Sequence, residues 1–170
     1  DFSKSPEMAL LKQRLYRSEI PGVSRAVSDA LSGLLRSDKI KTGETVAIAV
    51  GSRGIDRIGG VVAQCVKLFR QKGLKPFIVP AMGSHGGATA EGQIKVLEKL
   101  GISESSVGAE IKAEMDTLVV GRSKSGVNIH MSAKASEADW IFPINRVKAH
   151  TKFKLPIESG ICKILTIGLG

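Results

Sequence analysis

TVAIAV, residues 45–50, is an unbroken run of apolar and mostly β-branched side chains. Such a run is typical of a strand that is buried on both faces of a parallel sheet. The glycine turn Gly51-Ser52-Arg53-Gly54 follows it directly, and the spacing of apolar residues then predicts an amphipathic helix over about residues 56–71. This order predicts one β-α unit of a parallel sheet.

The alternation of strands and helices continues on both sides of this unit. The sequence predicts a strand over 10–16, helices over 24–35 and 89–100, strands over 75–80 and 138–143, and a hairpin of strands 117–121 and 127–131. We therefore expect an α/β fold: an open, mostly parallel, Rossmann-like sheet with helices on both faces, plus a small β-hairpin.

The length and composition suit one folded domain with a buried core, since 42% of the 170 residues are hydrophobic and 24% are charged. No apolar run approaches the roughly 18 residues that a membrane span requires, and the N-terminus carries no secretory signal pattern. Cys65 and Cys162 lack the spacing of a disulfide or metal motif and favour a reducing compartment. We expect a cytoplasmic protein that does not bind membranes.

The formal net charge of +9 points to an anionic partner, either a nucleic acid, a membrane surface or a small ligand. Aromatic residues make up only 4% of the chain, too few for a base-stacking platform, and no nucleic-acid-binding motif is present. The composition therefore favours a small anionic substrate over nucleic acid. It leaves the oligomeric state open, with a homo-oligomer among the alternatives.

Polar loops follow three of the predicted strands, at residues 51–54, 83–87 and 145–151. Because the carboxyl ends of parallel strands meet at one edge of a sheet, we expect these loops to form one site. Arg53 in the first loop offers a fork of donors for a carboxylate or phosphate. The alternative interpretation is a tight turn with a solvated arginine.

Two of the three histidines lie in these loops. His85 has glycines close on both sides and suits proton transfer near neutral pH, although a ring that merely bonds the loop backbone is the alternative. His150 lies among basic residues that would favour its neutral, base-competent form, the alternative being an incidental histidine on a surface loop. His130 alternates within a predicted strand and is expected to be a strand residue rather than a ligand.

The segment 156–163 combines a hydroxyl, a glycine and a lysine in Ser159, Gly160 and Lys163. A lysine in apolar surroundings can become a nucleophile or an attachment point for a cofactor. Cys162 beside it is either a thiolate in a basic setting or, more commonly, an inert buried cysteine. A serine hydrolase is not indicated because no GxSxG motif is present, and the histidines lack the local pairing of a zinc site.

Three stretches together resemble the N-terminal domain of the nickel-pincer lactate racemase family: AIAVGSRGI (47–55), PFIVPAMGSHGGATAEGQ (76–93) and NRVKAHTKFKLPIESGICKILTIGLG (145–170). The resemblance covers nearly the whole chain and is strongest to uncharacterised members of the family. It implies a two-domain isomerase that racemises or epimerises a 2-hydroxy acid. Residues 1–170 would form its N-terminal domain, with the C-terminal domain absent from this chain, and would be inactive alone.

The resemblance also implies a cofactor and a set of site residues. Nickel and a nickel-pincer nucleotide would take a hydride from the substrate carbon and return it to either face, while His85 and His150 alternate as base and acid on the hydroxyl. Lys163 would carry the pincer, after a matching Ser159-Gly160 pair, and Arg53 would hold the substrate carboxylate. We further expect Gly51 and Ser52 to contact the cofactor, and Lys148 to contact the substrate.

The sequence departs from the family pattern at several points. Ser84 replaces a threonine before His85, and Gly86 stands where the racemases carry arginine. The spacing from His150 to Lys163 (163 − 150 = 13) is longer than in lactate racemase.

The resemblance implies a nickel site that residues 1–170 do not complete. No histidine follows Lys163, so the distal nickel ligand is expected beyond Gly170, and we expect no metal ligand within this chain. The chain ends in the turn Gly168-Leu169-Gly170, which suggests a fragment.

Two other functions compete with the racemase. One is a basic α/β module that binds a phosphorylated or carboxylated ligand without catalysis. The other is a nucleotide-dependent Rossmann-like enzyme, which the missing GxGxxG motif disfavours.

Overall fold

A computed structural model describes residues 9–14, 19–52, 54–149 and 159–170 of the chain. The helices are α1 (Val23–Leu35), α2 (Ile58–Gln71), α3 (Ala90–Lys99), α4 (Glu104–Val107), α5 (Ala133–Ser136) and α6 (Ile161–Lys163). The strands are β1 (Thr45–Val50), β2 (Lys75–Pro80), β3 (Thr117–Arg122), β4 (Asn128–Ser132) and β5 (Trp140–Ile144). A short 3-10 turn, His85–Ala88, precedes α3, and a π-helical turn, Ile164–Gly168, follows α6.

The predicted α/β fold is confirmed as a three-stranded parallel sheet and a separate antiparallel pair. The sheet has the order β2-β1-β5, and β3 pairs with β4 across a bulge. Val50, the last residue of β1, lies opposite Pro80 on one side and Ile144 on the other. Because the strands end in register, the loops that follow them start from one edge of the sheet.

The side chains of β1 divide the core into two apolar clusters, because successive residues of a strand point to opposite faces. Val46, Ile48 and Val50 belong to a cluster that includes residues of α1, α2 and α3. Ala47 and Ala49 belong to a second cluster, which includes Ala135 of α5 and Ile164 and Leu169 near the C-terminus. The unbroken apolar run of β1 is therefore explained by its burial on both sides.

The predicted helices and strands from residue 24 onward lie within two residues of their expected bounds, and the two largest differences have local causes. Helix α2 begins at Ile58 because Arg57, with a φ of 52°, is left-handed and cannot continue a helix toward residue 56. Strand β5 begins at Trp140 because the Asp139 carboxylate accepts hydrogen bonds from the backbone N–H and the hydroxyl of Thr45, each at 2.8 Å. The same bonds lower the pKa of Asp139 below its ordinary value.

The prediction of a strand over residues 10–16 is wrong for residues 10–14, which the structure describes. They form no strand, and Leu10 and Leu11 are almost fully exposed. Alternating polarity produces a strand only where another strand accepts and donates its backbone hydrogen bonds. Residues 15 and 16 lie outside the described part of the chain. Separately, none of the described helices is long and apolar enough to cross a membrane.

Candidate functional site

A cleft of about 410 Å³ lies at the carboxyl edge of the parallel sheet. Its walls come from the loops after β1, β2 and β5 and from α6, which the shared strand register brings to one place. Seven of the nine predicted site residues line it: Gly51, Ser52, His85, Lys148, Ser159, Gly160 and Lys163. The other two, Arg53 and His150, lie outside the residues that the structure describes.

A hydrogen bond joins the loops after β1 and β2. The hydroxyl of Ser52 lies 2.5 Å from Nδ1 of His85, which is 33 residues away in sequence. Because Nδ1 is engaged, Nε2 is the ring nitrogen left to meet a ligand. Ser52, expected to contact a cofactor, therefore also orients the predicted acid–base histidine.

The loop that carries His85 is fixed against the start of α3. The amide of Gln93, a side chain that is only 3% exposed, donates a hydrogen bond of 2.8 Å to the carbonyl of Gly83. Gln93 was not among the predicted site residues, although a polar residue on the buried face of a helix is a detectable signal, because buried polar groups require partners.

A steric constraint explains why a glycine follows His85. Gly86 has a φ of 67°, and a Cβ at that position would overlap the backbone of Gly92 in α3. The arginine that the racemases carry at this position is therefore excluded here unless α3 moves. Gly87, with a φ of 73°, has open space where its side chain would be.

Ser159 connects the loop after β5 to α6. Its hydroxyl accepts a hydrogen bond of 2.8 Å from the backbone N–H of Lys148 and donates one of 2.6 Å to the carbonyl of the same residue. A hydroxyl has one donor and two acceptor positions, so only one acceptor position is left for a ligand. Ser159 is placed to hold the cleft wall together as well as to contact a cofactor.

Lys163 lines the cleft from α6 with an exposed side chain. Its neighbour Ile164 is buried in the second apolar cluster, one step of the helix away. Ile161 and Ile167 are exposed, as is the lysine itself, so apolar side chains do not bury the amine. An exposed amine remains accessible for attachment of a cofactor.

A second cation, which was not predicted as a site residue, reaches the cleft from the loop after β5. Nη1 of Arg146 donates a hydrogen bond of 3.0 Å to the carbonyl of Gly54, in the turn after β1. A Cβ on Gly54 would lie 3.3 Å from Cδ and 3.4 Å from Nη1 of Arg146. No local pattern predicts this contact, because the two residues are 92 positions apart.

The described lining of the cleft is cationic. Arg146, Lys148 and Lys163 contribute three positive charges, and none of the described lining residues is an aspartate or glutamate. None of the three cations occurs in an ion pair between described residues. Such a lining attracts anions, in agreement with the net charge of the chain.

His130 and Cys65 lie away from the cleft, and Cys162 differs from its expected burial. His130 is a strand residue, as predicted, and lies 3.2 Å from the hydroxyl of Thr117 on the hairpin. Cys65 is buried, and this raises its pKa to about 11, as expected of an inert thiol. Cys162 is exposed, which excludes the buried alternative.

The described residues do not assemble a metal site of their own. Within these ranges, no group of three or more histidine, cysteine, aspartate or glutamate side chains could hold a metal ion. The distal nickel ligand that the resemblance places beyond Gly170 lies outside the 170-residue sequence, so it stays a prediction.

Comparison of the chain with family models, with curated proteins and with solved structures gives no match. The resemblance to lactate racemases therefore stays a prediction that depends on the motifs quoted above.

Proposed function

We propose that this chain belongs to an enzyme that racemises or epimerises a 2-hydroxy acid, with His85 as one of two histidines that exchange protons with the substrate hydroxyl. The observation that carries the proposal is the hydrogen bond between Ser52 and His85 inside a cationic cleft. The proposal includes the finer fold class, a Rossmann-like sheet with helices on both faces. The apolar clusters on either side of β1 support that class.

His85 acts as the base in one of its two neutral tautomers. When Nδ1–H donates to the Ser52 hydroxyl, Nε2 has a lone pair that can take the proton of a substrate hydroxyl. The protonated ring can then return a proton from the same atom. His150, from the loop after β5, is proposed as the partner on the opposite side of the substrate.

The cations of the cleft bind and orient the substrate anion. Lys148 is proposed to pair with the carboxylate of the hydroxy acid, together with Arg53 from the turn after β1. The absence of acidic side chains from the described lining supports this assignment, because no internal carboxylate there competes for the cations. The substrate is then a small anion rather than nucleic acid, and the free cysteines support a cytoplasmic enzyme.

The cleft fits the cofactor that the resemblance implies. Its volume of about 410 Å³ is in the range of cofactor sites, and Lys163 offers an exposed amine at its wall. Lys163 would carry the nickel-pincer nucleotide, while Gly51, Ser52, Ser159 and Gly160 would lie along it. When bound, the group would accept a hydride from the substrate carbon and return it. The described side chains supply no cluster of nickel ligands of their own, so the metal would depend on the pincer and on residues outside them.

Covalent loading of Lys163 tests the enzyme directly. The full-length protein, with the residues that follow Gly170, is co-expressed with the pincer biosynthetic enzymes, and we expect a mass increment on the peptide that contains Lys163, retained nickel and racemisation of a hydroxy acid. Lys163→Arg should abolish all three, whereas Lys124→Arg, on the turn of the hairpin, should keep them. An unmodified Lys163 and a protein free of nickel would count against the proposal.

A binding module without catalysis is the second candidate, and the cationic cleft favours it as well. The two differ in the expected behaviour of a His85→Asn variant. An enzyme keeps ligand affinity and loses turnover, because the ring acts on the proton and the cations bind the anion. If the loaded wild-type protein binds hydroxy acids and turns none of them over, the module is the better description.

A further inference from the structure

We propose that Gln93 is a positioning residue for His85: by holding the Gly83 peptide, it keeps the imidazole at Ser52 and beside the segment that carries Lys163. Gln93 itself does not line the cleft. The inference deepens the proposed function and rests on it for the effect on turnover. Its effect on the geometry of the ring is argued from contacts alone.

The loop that carries His85 is rich in glycine and requires restraints from outside it. Gly83, Gly86 and Gly87 have positive φ angles of 58°, 67° and 73°. Glycine has more conformational freedom than any other residue, so such a loop has many accessible conformations unless other elements hold it. The position of His85 therefore depends on the contacts that select one of them.

The Gly83 peptide is the point where these contacts meet. Its carbonyl accepts the 2.8 Å hydrogen bond from Nε2 of Gln93, and its N–H donates one of 3.4 Å to the carbonyl of Gly168. A Cβ on Gly83 would overlap the carbonyl of Ile167. Ile167 and Gly168 belong to the π-helical turn that follows Lys163. The same peptide therefore contacts both α3 and the Lys163 segment.

Gln93 supplies a fixed point for the loop because its helix is packed in the core. The side chain is only 3% exposed, and Leu97, one turn later in α3, belongs to the larger apolar cluster. Removing the donor would leave the Gly83 carbonyl without its partner, which is costly where water does not replace it. The bond to Gly83 is therefore a lasting restraint on the loop.

A short backbone turn transmits the position of Gly83 to His85. The N–H of His85 donates a hydrogen bond of 3.2 Å to the carbonyl of Met82, so residues 82–85 form one hydrogen-bonded turn. Loss of the Gln93 bond should displace this turn and lengthen the 2.5 Å contact between Nδ1 and the Ser52 hydroxyl. Misplacement of a reacting group lowers turnover without removing a binding contact.

Gln93→Met tests this role, because it keeps an unbranched side chain in the core and removes the amide. In the loaded full-length enzyme we expect kcat to fall by about two- to tenfold, the value of one hydrogen bond, with KM unchanged, since the cations that bind the substrate are retained. In the Ser52→Ala background the same substitution should lower kcat by less than about twofold, because both changes act on one ring.

Gln64→Met is the matched control. Gln64 lies on α2, is partly buried, and donates a hydrogen bond of 2.9 Å from Nε2 to the hydroxyl of Ser28 on α1. Its substitution removes the same kind of bond from a helix and should lower the midpoint of urea denaturation in a similar way, yet leave kcat unchanged. A merely structural role of Gln93 would make the two variants alike.

The ring of His85 can also be observed without turnover. Nuclear magnetic resonance signals of isotope-labelled histidine nitrogens report hydrogen bonding and protonation at each ring nitrogen. The signals that disappear in His85→Asn are those of His85. In the unloaded protein we expect these signals to shift in Gln93→Met in the same direction as in Ser52→Ala, and to stay unchanged in Gln64→Met.

Wild-type kcat and ring signals in Gln93→Met would overturn the inference, and so would losses of kcat that add in the double variant with Ser52→Ala. Gln93→Glu keeps the shape of the side chain without the amide donor and replaces Gln93→Met if that variant does not fold. Loss of folding in both would assign Gln93 to the stability of the domain and would overturn the inference as well.

Failure of the inference and failure of the proposed function give different results. If the ring signals shift as expected but the loaded wild type racemises no hydroxy acid, the positioning of His85 by Gln93 stands and the racemase proposal fails. If the wild type racemises and Gln93→Met does so equally well, only the inference fails.

Discussion

Two histidines in this protein each lie beside a hydroxyl group, but their surroundings differ. His85 lies 2.5 Å from a serine hydroxyl and His130 lies 3.2 Å from a threonine hydroxyl, each through Nδ1. His85 lies in a cleft with three cations, on a loop that a buried glutamine fixes. His130 lies on a two-stranded hairpin whose strand β3 is exposed along its whole length. A histidine beside a hydroxyl group is therefore not enough to indicate a functional site; the cations around His85 are what distinguish the two regions.

The largest expected difference between the two regions is in turnover. His85→Asn should lower kcat of the loaded enzyme by about 10²- to 10⁴-fold, the usual contribution of a general acid–base group. His130→Asn, which removes a ring with a similar hydroxyl partner, should change kcat by less than about twofold. Racemisation assays on both variants check this, with circular dichroism as the control for folding. Equal effects of the two substitutions would remove the distinction between the regions.

Gly86 and Gly87 allow a second comparison, between two glycines of the loop that carries His85. Both have positive φ angles, so alanine at either position should cost about 1–2 kcal/mol of backbone strain. Only at Gly86 would the new Cβ also overlap the backbone of α3, where no rotamer change relieves the contact. Gly86→Ala should therefore lower the free energy of unfolding by about 2–5 kcal/mol.

Urea denaturation of the two alanine variants separates the two costs. The φ strain is common to both positions, so Gly87→Ala is the matched control for the overlap. Equal stabilities of the variants would show that α3 and the loop shift apart freely.

The smallest expected effect concerns the orientation of His85. Ser52→Ala should lower kcat by about two- to tenfold, the value of one hydrogen bond, and Ser52→Thr should restore most of it. Thr117→Ala, which removes the partner of His130, is the control. A kcat of Ser52→Ala equal to that of the wild type would contradict the orienting role of the serine.

Much of the fold could be predicted from the sequence because its signals are local. Strands β1 and β2 have the bounds that their apolar runs predict, and Gly73 follows α2 with a φ of 83° as a helix-ending glycine does. The strand prediction for residues 10–14 was wrong because alternating polarity is a local signal. The partner strand that a strand requires must come from elsewhere in the chain. The loops that line the cleft after β1, β2 and β5 were predicted from their positions alone, since they follow strands that end at one edge, whereas Arg146 and Gln93 were not predicted as site residues.

The sequence by itself determined which segments become strands and helices, which loops share the carboxyl edge, and that the chain carries excess positive charge. Only the tertiary structure decided that Ser52 meets His85, that Gln93 supports the loop, and that Arg146 rests on Gly54. These contacts join residues separated by 33, 10 and 92 positions. Secondary structure follows from interactions within a few residues, whereas such contacts depend on the packing of whole elements, which no local pattern records.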